Sequence, residues 1–375
     1  MRICFFGTYN LNYARNSSLR VGLKENGVDV VEVHAEIPNE RLELSEDFTL
    51  QKTINRVWRK VKVYSNLLSQ YQKVIASDYV FVLHPGHLDL PFAWILCRLG
   101  NKKLIFDTSI SPYDTMFVGR NIAKRNSFKA RLVKLIEKLL LRFPDRLFVD
   151  TKLMKEFIVK EFGINCKKIF VVPLGANDEV YKPSSDGESR SSQTKVLFFG
   201  LYNPLHGVQH IMNAIKLLRK EKNINFTMIG DGYLKDDLIH FAKINKLKNV
   251  RFIGFMPEKE LVEYIQNTDI MLGVFSNSPV FQRAIPNKVF AAIACGKPLI
   301  TAKHPPMDEY FKHEESVYFC KPEDPKELAN AIKKLAHDKA LQNRMALSGY
   351  ILFIKYFTPK QIGKILKNNL LIKKL

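Results

Sequence analysis

The residues best placed to do chemistry lie in the C-terminal half. Ile270-Met-Leu-Gly-Val-Phe275 is followed by Ile285-Pro-Asn-Lys-Val-Phe-Ala-Ala-Ile-Ala-Cys-Gly-Lys-Pro-Leu-Ile-Thr301. The pattern reads as strand, loop, short helix, glycine stop and strand. Pro286 and Asn287 are start signals, and Gly296 and Pro298 are stop signals. Lys288 falls in the first helical turn, with Arg283 just upstream. The dipole of a helix makes its N-terminus positive, so cations are unwelcome there and anions are favoured. Two cations at that end make physical sense once a bound anion joins them, and a phosphate on a helix N-terminus is such an anion. A lone lysine would read as a solvated turn. The glycine, proline and strand signals around this one favour the anion site.

Such a lysine needs a framework. Short apolar strands alternate with amphipathic helical stretches along the chain. Strand candidates in the first half are Arg2–Phe6, Val28–Val33, Tyr79–Leu83, Lys103–Asp107, Arg146–Val149 and Lys168–Val172. In the second half they are Lys195–Phe199, Asn225–Ile229, Val250–Ile253, Ile270–Val274, Pro298–Thr301 and Ser316–Phe319. Gly207–Lys222 is the clearest helix, with Val208, Ile211, Met212, Ile215 and Leu218 on one face. The alternation predicts an α/β fold of two Rossmann-like, doubly wound parallel-sheet domains facing across a cleft. The polar, Ser-rich run Lys182–Thr194 reads as a linker between them. The expected domains are therefore 1–181 and 195–350, with a C-terminal helix in 351–375 that packs back on the first. In such sheets ligands bind outside the carboxyl ends of the strands. Those ends carry Gly7-Thr-Tyr-Asn10, His84-Pro-Gly-His87 and Asp107-Thr-Ser109, then Gly200 to Gly207, Gly230-Asp-Gly232, the loop after Phe275, and Thr301.

A content of 46% hydrophobic and 25% charged residues fits a soluble globular protein. Five cysteines without a CxxC pair read as reduced, mostly buried thiols. The apolar run at the N-terminus is too short for a signal peptide, and no stretch is long and uncharged enough for a membrane span. A cytoplasmic location is expected, with the inner face of the cytoplasmic membrane as an extension of it. The net charge of +21 favours polyanionic partners without choosing among them. Arg120 to Phe143 holds eight lysines and arginines against one acid, Glu137, while Phe128, Leu132, Leu135, Ile136 and Leu139 recur at helical spacing. Two readings stand side by side. One is a basic amphipathic helix lying on an anionic bilayer. The other is a helix packed on its sheet with a solvated basic back.

Several chemistries are excluded. There is no GxGxxG, since residue 235 is Lys, no GxxxxGK[ST], no DxD, no HExxH and no Cys/His zinc pattern. Glycine turns before helices remain, and their backbone N–H groups hold phosphates without metal. The series Gly200, His206-Gly207, Ile229-Gly-Asp-Gly232, Asn249-Val-Arg-Phe-Ile-Gly-Phe255, Ile285-Pro-Asn-Lys-Val-Phe and Ala294-Cys-Gly-Lys-Pro-Leu-Ile-Thr301 resembles the C-terminal domain of family-4 glycosyltransferases of the GT-B fold. Looser matches are Leu104-Ile-Phe-Asp-Thr-Ser-Ile-Ser111, Val149-Asp-Thr151 and Val172-Pro-Leu-Gly-Ala-Asn177. The resemblance implies a retaining, metal-independent enzyme without cofactor. It would use a nucleotide-sugar donor, held mainly by the C-terminal domain, and a glycan or lipid-linked acceptor, held by the N-terminal one. Two departures stand out. The two glutamates of the family fall at Arg283 and Ala291, and the family's lysine before the helix-opening glycine is His206.

The expected donor contacts are Gly200, His206, Gly207, Gly230, Gly232, Phe255, Arg283, Asn287 and Lys288, with the two cations on the diphosphate. Glycine backbone at 207 and 232 would approach the nucleotide where a side chain would clash. Asp107, with Asp114 in reserve, either orients or deprotonates the acceptor hydroxyl or serves as a turn residue bonded to Ser109. Tyr9, Asn10, Arg15 and Asn16 are candidates for holding the acceptor or a donor phosphate, and His84 and His87 either touch the acceptor or are satisfied turn histidines. Rival readings are a sugar-nucleotide epimerase, a catalytically weakened homologue and a basic nucleic-acid-binding protein. No recognition signature for nucleic acid supports the last.

Overall fold

The computed structural model describes residues 1–11, 13–35, 62–120, 122–184 and 193–372. Most of the expected linker, residues 185–192, lies outside them. The chain divides into two compact units, Met1–Val172 with Gly363–Leu375, and Pro173–Ile362.

In the first unit, β1 (Arg2–Gly7), β2 (Asp29–His34), β3 (Tyr79–Val82), β4 (Lys103–Asp107), β5 (Arg146–Val149) and β6 (Ile169–Val171) form one parallel sheet in the order β2-β1-β3-β4-β5-β6. Helices α1 (Ala14–Glu25), α2 (Tyr71–Ile75), α3 (Leu90–Leu99), α4 (Phe128–Leu140) and α5 (Lys152–Phe162) connect them. A parallel sheet covered on both faces demands apolar residues in unbroken runs. Ile3-Cys-Phe-Phe6 is such a run, fully buried at every position. Side-chain oxygens of Ser127 and Thr151 accept the N–H groups of Ala130 and Met154, which starts α4 and α5.

In the second unit, β7 (Thr194–Phe199), β8 (Ile224–Ile229), β9 (Val250–Ile253), β10 (Ile270–Leu272), β11 (Leu299–Ala302) and β12 (Tyr318–Cys320) pair in the order β12-β11-β10-β7-β8-β9, again all parallel. Its helices are α6 (Val208–Leu217), α7 (Lys235–Ile244), α8 (Glu258–Gln266), α9 (Asn287–Ala294), α10 (Pro325–His337) and α11 (Lys339–Tyr356). The pleat sorts side chains to two cores: Val196 and Phe198 pack with Ile211 and Leu272, while Leu197 packs with Met271 and Val289. All twelve expected strands are present within a few residues of their expected bounds. Both units are Rossmann-like.

The last helix, α12 (Pro359–Leu371), begins in the second unit and ends in the first. A Cβ on Gly363 would stand 2.0 Å from the Gly22 carbonyl oxygen, so α12 and α1 cross backbone on backbone. The Tyr79 hydroxyl donates to the Leu370 carbonyl at 3.0 Å, Lys367 Nζ to that of Asn26 at 2.7 Å, and the Arg146 guanidinium to those of Asn369 and Ile372. Gly363→Val is expected to lower stability by about 1–3 kcal/mol through overpacking. Urea unfolding followed by circular dichroism measures it, and an unchanged midpoint would show that the crossing is dispensable.

Candidate functional site

In the second sheet β7 lies between β8 and β10, so the connections diverge there, the place where sheets of this kind bind ligands. Lys288, the second residue of α9, reaches that point. Its ammonium lies 4.0 Å from the Phe198 ring centroid and 5.8 Å from that of Phe199. A Cβ on Gly200 would stand 3.1 Å from Nζ and 3.4 Å from the His206 ring. Lys288 is 5% exposed, and its Nζ finds no hydrogen-bond partner among the described residues. A buried ammonium without an acceptor is costly, and burial pulls its pKa down from 10.5 to about 7. No side chain caps the first turn of α9, so helix N–H groups add to the demand for an anion.

The surroundings form a connected shell. His206 sets Nδ1 2.9 Å from the Leu201 carbonyl and turns its ring toward Phe198 and Phe281. Phe281 continues to His304, whose Nε2 lies 2.9 Å from the Ser276 carbonyl. Gly207 sits at φ 69°, and a Cβ there would stand 2.5 Å from the Ser276 nitrogen. A Cβ on Gly232 would meet the Tyr202 carbonyl oxygen at 2.5 Å, and one on Gly230 the Gly200 carbonyl oxygen at 1.9 Å. These three glycines therefore already have a reason in the packing of one backbone segment on another. Gly200 differs, because the space beside it leads to Lys288 and His206.

The other donor-side candidates are placed less centrally. Arg283 is half-buried in the loop before α9, its backbone N–H bonded to the Val280 carbonyl at 3.1 Å. Asn287 is exposed, and Phe255 is 64% exposed after β9. Ala291 faces the core. The rings under the ammonium, Phe198 and Phe199, were missed by sequence reasoning. Two aromatics at the end of the strand before Gly200 were the available signal.

In the first unit the diverging point lies between β1 and β3, and the acceptor-side candidates gather there as an interior network. Arg15 and Asp107 form a fully buried ion pair at 2.6 Å, and Arg15 also donates to the Val172 carbonyl at 3.0 Å. Ser109 Oγ approaches the same carboxylate at 3.5 Å. Asn16 Nδ2 donates to the carbonyls of Asn10 and His84, at 2.9 and 2.8 Å. His84 keeps Nδ1 enclosed, and burial with the nearby Arg15 charge lowers its pKa to about 4. His87 packs its ring edge-on against Phe106, and burial lowers it to about 3. Both imidazoles are neutral at pH 7. The Tyr9 hydroxyl turns away to Glu32 at 3.3 Å, while Asn10 is exposed. Asp114 is buried, its backbone N–H on Ser111 Oγ at 3.1 Å. Near it, Glu137 accepts the Tyr113 N–H at 2.9 Å and is pushed up to about 7 by burial.

Residues 184–351 match the family model of glycosyl transferases group 1. The probable glycosyltransferase WbjE of Pseudomonas aeruginosa is 24% identical over 260 residues, covering 67% of this chain and 64% of WbjE. Glycogen synthase of Mycobacterium tuberculosis is 26% identical over 239 residues, covering 63% of this chain and 56% of the synthase. The matches thus span less than two thirds of either relative. Among solved structures, HepE from Anabaena in complex with UDP and glucose superposes with a TM-score of 0.71 at 15% identity, over 99% of both chains. That likeness gives the fold, two Rossmann-like domains of the GT-B kind. The family model covers the greater part of the second unit and less than half of the chain.

The buried pair makes a sharp prediction. Asp107→Asn leaves the Arg15 charge enclosed without its counter-charge, so stability should fall by about 3–5 kcal/mol. Replacing both residues by apolar ones of similar volume should restore much of it. Chemical denaturation of the two variants tests this, and a fully stable Asp107→Asn protein would remove the pair from the structural account.

Proposed function

We propose that the protein is a glycosyltransferase that moves a sugar from a nucleotide-diphosphate donor, a UDP- or GDP-sugar, to a glycan or lipid-linked acceptor in surface polysaccharide or glycoconjugate synthesis. One observation carries the reading: a buried amine without an acceptor, at the diverging point of a parallel sheet, inside the stretch that matches group 1 glycosyl transferases. A diphosphate beside Lys288 would supply the missing acceptors. Charge developing on the departing nucleotide would meet an ammonium already in place, which is where electrostatic catalysis gains most. Arg283 is the second cation of this reading. WbjE and glycogen synthase by their names, and HepE by its bound UDP and glucose, support a donor of this class. Retention of configuration and independence of metal belong to the same proposal, with the positive charge at the diphosphate coming from side chains and helix N–H groups.

Calorimetric titration with UDP, GDP and ADP tests it. Lys288→Met should weaken binding of the preferred nucleotide by roughly 10–100-fold, the value of a hydrogen bond to a charged group. Equal affinity would remove Lys288 from the donor site.

A linked effect follows from the pKa. In the free protein Lys288 titrates at about 7, so at pH 8 it is mostly neutral. A bound diphosphate favours the charged form, so binding takes up a proton and affinity falls as pH rises above 7. Titrations at pH 8 in buffers of different ionisation enthalpy should detect that uptake, and Lys288→Met should abolish it. Sugar transfer should also survive a chelator, and a loss restored by a divalent cation would overturn the metal-independent part.

A further inference from the structure

Helix α4 turns its apolar stripe outward. Phe128 is 81% exposed and Leu135 is 53% exposed, and Leu132, Ile136 and Leu139 are exposed with them. At 3.6 residues per turn these five share one face. The opposite face holds the buried residues Ala130, Glu137 and Leu140. The reading in which the stripe packs on the sheet is therefore overturned. Ser127 caps the helix, and Glu137 ties its inner side to the Tyr113 N–H, so the helix is anchored with its stripe uncovered.

Cations flank the stripe. Lys129 lies on one side, with Arg131, Lys138 and Arg142 on the other, and none of the four forms an ion pair among the described residues. The only acid of the helix, Glu137, is buried on the other side. The outward surface is thus an apolar strip bordered by positive charge, one cation on one side and three on the other.

We propose that α4 is a docking surface for an anionic lipid bilayer, with Phe128, Leu132, Leu135, Ile136 and Leu139 entering the acyl boundary and Lys129, Arg131, Lys138 and Arg142 at the phosphate level. An interfacial helix combines these two features, a continuous apolar face and a cationic border. Each basic residue near an anionic surface adds to the attraction. A two-fold pair of chains meeting through this face would set these cations against one another with no exposed acid of the helix between them, which disfavours self-association. The placement suits a lipid-linked acceptor. α4 connects the carboxyl end of β4 to the start of β5, so its Phe128 end lies toward the sheet edge that holds the Arg15–Asp107 network. Docking goes beyond the donor reading and does not rest on it.

Flotation of the full chain with vesicles tests the proposal without nucleotide or acceptor, so its failure leaves the Lys288 reading untouched. At low salt the protein should float with phosphatidylcholine vesicles containing phosphatidylglycerol and not with phosphatidylcholine alone. Phe128→Ser with Leu135→Ser should reduce the bound fraction about tenfold or more. Arg131→Gln with Lys138→Gln should move release to lower salt. These substitutions, at the exposed Phe128, Arg131 and Leu135 and the half-buried Lys138, should leave the thermal unfolding curve unchanged. The proposal fails if anionic vesicles retain no more protein than neutral ones. It also fails if the Phe128/Leu135 variant binds undiminished, since general charge then suffices. A parent dimer that this variant converts to monomer, with no vesicle binding, would assign the face to a second copy of the chain.

Discussion

Taking the Lys288 amine out of water without giving its hydrogens an acceptor costs free energy that the folded chain bears in every molecule. Phe198 and Phe199 offset part of it by presenting their ring faces. The remainder is relieved by losing the proton or by meeting an anion. The second unit is arranged around that choice. Gly200 leaves the approach open, α9 contributes uncapped N–H groups, and the packed strand ends keep bulk water away.

The first unit meets the same topological opportunity with the opposite solution. Its diverging point holds groups that pair in part, Arg15 with Asp107 and Asn16 with the backbone of two loops, while Asp107 Oδ1, Asn16 Oδ1 and His87 Nε2 find no hydrogen-bond partner among the described residues. Its imidazoles stay neutral because burial removes their charge at any physiological pH. Two sheets of like topology thus hold unlike contents, a buried ion pair in one and a buried ammonium without an acceptor among the described residues in the other.

The strands and the α9 turn were legible because a parallel sheet writes itself as unbroken apolar runs between glycine and proline stops. Lys288 stood out by its position against a helix dipole, a local property. The partnership of Arg15 with Asp107 was not legible, since it joins residues 92 positions apart. The glycines gave a partial message. Sequence marks where backbone comes close to something, but Gly207 and Gly232 meet the chain itself at Ser276 and Tyr202. α4 shows the same limit. Periodicity reveals that a helix has an apolar face, and says nothing of whether protein covers it.

The crossing of Gly363 over Gly22 has a bearing on biosynthesis. Residues 1–172 leave the ribosome long before the segment that docks on them. Until α12 is made, the Gly22 backbone and the Asn26 carbonyl lack the partners they have in the folded chain. Completion of the first unit is thereby coupled to a segment that lies beyond the whole second unit in the chain.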